Sequence, residues 1–181
     1  FLKHKTENHP ECPERLAYFD KTIKETKLES GEKYLNLIYD KKYINTIKNA
    51  SKNEKSLDAD TYTNKFSYEA ACFSVASAIK ASQEDNFSLG RPPGHHATKS
   101  RAMGFCLFNN IAIAVQKSVN EGEKVFIIDF DGHHGNGTQD IFYDTDKVLY
   151  LSTHQFPAYP GTGWLEEIGT GKGKGFTINI P

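Results

Sequence analysis

The chain has 181 residues, of which 38% are apolar and 25% charged, a composition that excludes a disordered or collagen-like polypeptide. Its formal net charge of −1 lacks the basic excess of a nucleic-acid surface. No apolar run approaches the roughly 20 residues of a membrane span, and no signal-peptide core follows the opening Phe1-Leu2-Lys3-His4. Cys12, Cys72 and Cys106 form no CxxC pair, which argues against a disulfide framework or a cysteine zinc site and for a reducing, cytoplasmic setting. The length suits a single domain over 1–181. The chain opens on Phe rather than Met and stops at Pro181, straight after an apolar, strand-like segment, so it reads as part of a longer protein.

In chain order, Leu16, Phe19, Ile23 and Leu28 recur at helical spacing and predict a helix over 13–28. A second helix is expected over 35–48, and a polar loop over 49–65. The Ala-rich stretch 68–82 reads as a buried helix. Residues 86–89 predict a short strand running into Gly90-Arg91-Pro92-Pro93-Gly94, where the prolines exclude helix. Residues 105–119 read as an apolar helix that Gly122 closes. The run 124–130 (KVFIIDF) has the continuous apolar character of a strand buried on both faces of a parallel sheet. A helix over 135–143 and a strand over 148–153 complete a βαβ unit, so the fold class is α/β with a parallel sheet.

Five of the seven histidines, His95, His96, His133, His134 and His154, fall at the ends of predicted strands. Ligands bind at the carboxyl ends of strands in open α/β sheets. Alternation in an extended segment points Asp129, Asp131 and His133 the same way, and oxygen and nitrogen donors two residues apart suit a divalent ion such as zinc. The plainer reading is a solvated Asp/His/Gly loop, but two acids beside a fully apolar strand are costly to bury without a partner. His95 and His96 sit on a proline-stiffened loop, and histidine as a residue type titrates near neutral pH, so each is a candidate to take or give a proton. Asp129 and Asn136 are natural orienters for their far ring nitrogens. By spacing alone, Phe105 reads as core and Tyr159 as a turn residue, Cys106 as a possible nucleophile that nothing singles out, and Asp58 and Asp60 as solvated charges.

Taken together, these motifs resemble the zinc-dependent histone deacetylase family, which includes acetylpolyamine amidohydrolases. The pieces that carry the resemblance are His9-Pro10-Glu11-Cys12-Pro13-Glu14-Arg15-Leu16, Arg91-Pro92-Pro93-Gly94-His95-His96-Ala97, Gly104-Phe105-Cys106 and Asn109-Asn110. They continue with Asp129-Phe130-Asp131-Gly132-His133-His134-Gly135-Asn136-Gly137-Thr138-Gln139, Ser152-Thr153-His154 and Pro160-Gly161-Thr162-Gly163. The resemblance implies a three-layer fold of the arginase–deacetylase type, incomplete here at its first strand and its C-terminal half. It implies Asp131 and His133 as zinc ligands, and His95 and His96 as the catalytic pair, supported by Asp129 and Asn136. Gly104, Phe105 and Tyr159 would line the acyl channel, with Tyr159 in the place of a more usual Phe. A monovalent cation, potassium, would sit near Asp129, Asp131, His133, Ser152 and Thr153, and a second near Phe142, Thr145 and Val148.

The family's third zinc aspartate and oxyanion tyrosine have no counterpart in this chain. The expected activity is zinc-dependent removal of acetyl from a peptide lysine or polyamine, with this segment inactive alone. The alternatives are a non-catalytic acyl-lysine or partner-binding module, and a di-manganese hydrolase like the arginases, against which the His95-His96 pair argues. Neither a membrane nor a nucleic-acid partner is expected, and homo-oligomerisation stays open.

Overall fold

Three short apolar segments, β1 (Val125–Asp129), β2 (Val148–Thr153) and β3 (Thr177–Ile180), form a parallel sheet in the order β1-β2-β3. The structure, a computed structural model, describes residues 1–6, 8–17, 19 and 26–181. Among these residues the helices are α1 (Glu14–Ala17), α2 (Lys41–Lys52), α3 (Ser67–Gln83), α4 (Asn110–Asn120) and α5 (Asn136–Phe142). Parallel strands need a crossover, and α5 supplies it between β1 and β2. None of the helices is long and apolar enough to cross a membrane.

Capping explains where the helices begin. The Asp40 carboxylate accepts from the Tyr43 N–H at 2.7 Å, so α2 starts at Lys41 and the preceding residues form a 3-10 turn over Gly31–Leu37. The expected helix over 35–48 is therefore two elements. The Asn109 side chain likewise accepts from the Ala112 N–H at 3.0 Å. This sets the start of α4 at residue 110 rather than 105, because Gly104 and Phe105 hold positive φ values of 55° and 69°. Residues 86–89 join no strand among those described, so the short strand expected there is absent. Of the helix expected over 13–28, only Glu14–Ala17 is seen; Ile23 lies outside the described residues.

Two apolar clusters hold the elements together. Leu35, Tyr39, Tyr43, Ile47, Val75, Leu107, Phe108 and Ile113 join α2, α3 and α4. Ala112, Val115, Ile127, Ile141, Phe142, Val148 and Tyr150 seat α4 and α5 on one face of the sheet. Each fully buried aliphatic or Phe side chain contributes roughly 1.5–3 kcal/mol. The strand at 125–129 departs from its expected burial on both faces. Ile127 is covered, while Phe126 and Ile128 on the opposite side are 53% and 57% exposed. Among the described residues no element packs on that side.

Candidate active site

The loop that carries His95 and His96 starts from a fixed point. Arg91 donates from Nε to Glu11 Oε1 at 2.5 Å, from Nη2 to Glu11 Oε2 at 2.7 Å, and from Nη2 to the His4 carbonyl at 3.1 Å. His4 Nε2 lies 3.3 Å from Glu11 Oε2, and all three side chains are buried. A bidentate, fully paired carboxylate is the arrangement in which buried charge is tolerable. Burial acts to raise the Glu11 carboxyl, but hydrogen bonds from His4 and Arg91 outweigh it and hold the group below the ordinary glutamate value.

His95 and His96 stand with ring centroids 4.0 Å apart. His95 Nδ1 lies 3.1 Å from Asp129 Oδ2, at the carboxyl end of β1. His96 Nδ1 lies 2.8 Å from Asn136 Oδ1, on the first residue of α5. The Asn136 amide is oriented by its second contact, Nδ2 to Met103 Sδ at 3.6 Å, so its oxygen faces the ring. The Nδ1 of His96 therefore carries the hydrogen, and Nε2 keeps its lone pair. Burial, then the neighbouring His95, pushes the His96 pKa down to about 4, against a smaller opposing pull from Asn136. His96 is thus neutral at pH 7. Gly104 lies against this ring: a Cβ there would meet His96 Cδ2 at 2.4 Å, which only glycine avoids.

Tyr150 is a site residue that the sequence reading passed over. Its hydroxyl donates to Asp129 Oδ2 at 3.0 Å, with Gly135 O at 3.2 Å. Burial acts to raise the Asp129 carboxyl, and its bonds to His95 and Tyr150 keep it below the ordinary aspartate value. The signal was available in the β2 alternation, which sets Val148, Tyr150 and Ser152 on the covered face beside β1.

Asp131 and His133 follow directly, on the exposed turn after β1. Asp131 Oδ1 lies 3.3 Å from His133 Nδ1 and accepts from the His133 N–H at 2.8 Å. Oxygen and imidazole nitrogen are the donors zinc takes, but a catalytic zinc wants three protein ligands. Among the described residues no group of three His, Cys, Asp or Glu side chains has that geometry. The donor types fit, and the donor number does not. Ser152 and Thr153 lie at the carboxyl end of β2, where Ser152 is register-paired with Asp129. Phe142, Thr145 and Val148 line an open cleft of about 290 Å³ on the far side of α5.

Tyr159 stands over this group, its ring centroid 5.0 Å from His96 and 6.1 Å from His133, both edge-on. Its hydroxyl pKa is pushed up to about 12 by burial first, then by the Asp60 and Asp58 carboxylates. Those two acids are not simply solvated. Asp58 Oδ1 accepts from the N–H groups of Asp60 and Thr61 at 3.2 and 2.7 Å, and both face the Tyr159 side of the site. Phe105 packs its ring edge-on against His9 at 4.5 Å. Cys106 is fully buried, bonded to Gly104 O at 3.2 Å, and burial raises its thiol pKa far out of the nucleophilic range.

Residues 9–181 match the histone deacetylase domain family. A probable deacetylase of Archaeoglobus fulgidus is 40% identical over all of this chain and 56% of its own length. The crystal structure of the HDA15 HD domain superposes with a TM-score of 0.91 at 33% identity, covering 99% of this chain and 58% of that one. That of acetylpolyamine aminohydrolase from Burkholderia pseudomallei superposes at 0.80 with 27% identity, over 94% and 64% of the two chains. The chain spans between 32% and 59% of the length of curated relatives that align along 98% or more of it, and 56% of the archaeal protein. With the parallel sheet, the paired histidines and the match along nearly its whole length, the chain belongs to the histone deacetylase family.

Proposed function

We propose that this chain supplies the proton-transfer residues of a deacetylase that removes acetyl, or another small acyl group, from a peptide lysine or a polyamine. The observation that carries the reading is the placement of His96, its Nδ1 2.8 Å from Asn136 Oδ1, beside the His95 ring and edge-on to Tyr159. Zinc, if held by Asp131 and His133 with a further ligand from outside these residues, would polarise the acyl carbonyl and acidify a water. His96 Nε2 accepts the proton of the attacking water, and Asn136 keeps the ring from turning. His95, bonded to Asp129, stands beside that ring and helps keep it neutral until the water's proton arrives. The proton on His96 then passes to the departing amine, which leaves poorly as an anion. Potassium is proposed at the strand ends near Asp129 and Ser152.

The count of two converging donors favours one competing reading, a module that binds acylated ligands without turnover. The test assays this chain alone, and this chain joined to the segment by which the Archaeoglobus relative exceeds it, on a fluorogenic acetyl-lysine peptide with added Zn²⁺. The expected result is turnover in the joined protein, abolished by a chelator, and none in the shorter chain. Binding of the peptide and of zinc by the joined protein without acetate release would establish the competing reading.

A further inference from the structure

Beyond the histidine pair, a second polar network runs through the molecule, and the reaction does not use it. Gln139 on α5 is buried and makes three contacts. Its Nε2 donates to Glu167 Oε2 at 2.5 Å, while its Oε1 accepts from Asn179 Nδ2 at 2.8 Å and lies 3.0 Å from His134 Nε2. Glu167 Oε1 in turn accepts from the N–H groups of Gly163 and Trp164 at 2.9 and 3.1 Å.

Donor and acceptor roles are fixed along this chain of bonds. Because Gln139 Oε1 accepts, His134 Nε2 carries the hydrogen, and His134 Nδ1 accepts from Thr162 Oγ1 at 2.8 Å. His154 Nε2 adds a bond to Gly163 O at 3.0 Å. Gly163 has a φ of 95°, and a Cβ there would meet His154 Nε2 at 2.4 Å, so the backbone is pressed onto the two rings. Burial acts to raise the Glu167 carboxyl, and its bonds from Trp164, Gln139 and Gly163 keep it below the ordinary value. Every anchor falls within Thr162–Trp164, immediately after the turn in which Gly161 N–H donates to Ala158 O and which presents Tyr159.

We propose that Gln139 and Glu167 are positioning residues which, through 158–164, fix Tyr159 as one wall of the site and so set how tightly an acyl-amine is held. The substrate part of this rests on the deacetylase reading; the anchoring part does not. Glu167→Gln puts an amide N–H against the Gln139 amide N–H, and Gln139→Glu puts two carboxylates together. The exchange of both, E167Q with Q139E, restores one donor facing one acceptor and leaves the bonds to Asn179, His134, Gly163 and Trp164 in place. Loss of a hydrogen bond to a charged group corresponds to roughly ten- to a hundredfold in an opening equilibrium.

The experiment is amide hydrogen exchange on the 181-residue chain, read at Gly163 and Trp164, with acrylamide quenching of Trp164, its single tryptophan, as a second readout. Each single variant is expected to exchange about tenfold faster or more at these amides, with β1 unchanged, and the double variant to return to the parent rate. Single variants that exchange like the parent overturn the proposal, as does a double variant as fast as, or less folded than, the singles. In the acetyl-lysine assay of the joined protein the singles should raise KM more than they lower kcat, and the double variant should reverse that. An absence of turnover there fails the deacetylase reading and leaves the exchange result to decide the anchor. Normal anchoring loss with unchanged KM overturns the role in substrate holding.

Discussion

The two faces of the sheet are made by alternate residues of the same strands, yet they have opposite characters. The covered face presents Ile127, Val148 and Tyr150 to the helices, buries Thr177, and engages Asp129, Ser152 and Asn179 in side-chain hydrogen bonds. The open face presents Phe126 and Ile128 from β1 beside Leu149 and Leu151 from β2, with Ile178 and Ile180 from β3. It is apolar along its length apart from Thr153, and Phe130 just beyond β1 extends it. The proposed site lies on the covered face, where His95, Tyr150 and Gln139 bond to the side chains of the strands; the open face offers area but no such specificity. Relatives that extend well beyond the matched region have the material to cover such a face, and this chain's own described residues do not.

The largest expected contrast is between neighbours on the two sides. Ile127→Ala should cost about 2–5 kcal/mol of unfolding free energy, because it opens a cavity under α4 and α5. Ile128→Ala, already exposed, should cost under about 1 kcal/mol. Urea titration of both variants measures this, and equal losses would mean that the open face is buried in solution.

A smaller effect separates the faces by pH. His96 binds its proton less readily folded than unfolded, so between pH 6.5 and about 4 the unfolded state holds more protons. Stability is therefore complete above pH 6.5 and falls as the pH drops towards about 4, by at most about 3 kcal/mol. His134, lowered first by burial, acts in the same direction. His96→Gln should flatten part of this slope, and open-face substitutions should leave it alone. An unchanged slope in His96→Gln would show that the ring is solvated.

The smallest effect on stability belongs to the open face itself. An exposed apolar patch of this kind promotes association. Ile128→Thr combined with Ile178→Thr should reduce dye binding and self-association of the 181-residue chain at nearly constant stability, by light scattering and ANS fluorescence. Scattering that does not change would locate the sticky surface elsewhere.

What could be seen in the sequence follows the same division. The strand over 148–153 was legible because apolar alternation is local, and so were the buried helix at 67–83 and the clustering of His95, His96, Asp131 and His133 at strand ends. The start of α4 was not, since it depends on the Asn109 cap and on the positive φ of Phe105. The exposure of Phe126 and Ile128 was not either, because periodicity shows that a strand is apolar, not which elements cover it. Tyr150 needed the cross-strand register, and the Gln139–Glu167 bond joins residues 28 apart with no shared motif.

The central claim is that the covered face carries a hydrolytic site in which His96 is the proton acceptor. It is tested most directly by acetate release from an acetyl-lysine peptide in the joined protein, comparing His96→Ala with His95→Ala at equal bound zinc. The account predicts that His96→Ala loses about 10²- to 10⁴-fold in kcat and the acidic limb of the pH profile with it, while His95→Ala loses less. Near-normal kcat in His96→Ala, or a larger loss in His95→Ala, would contradict it.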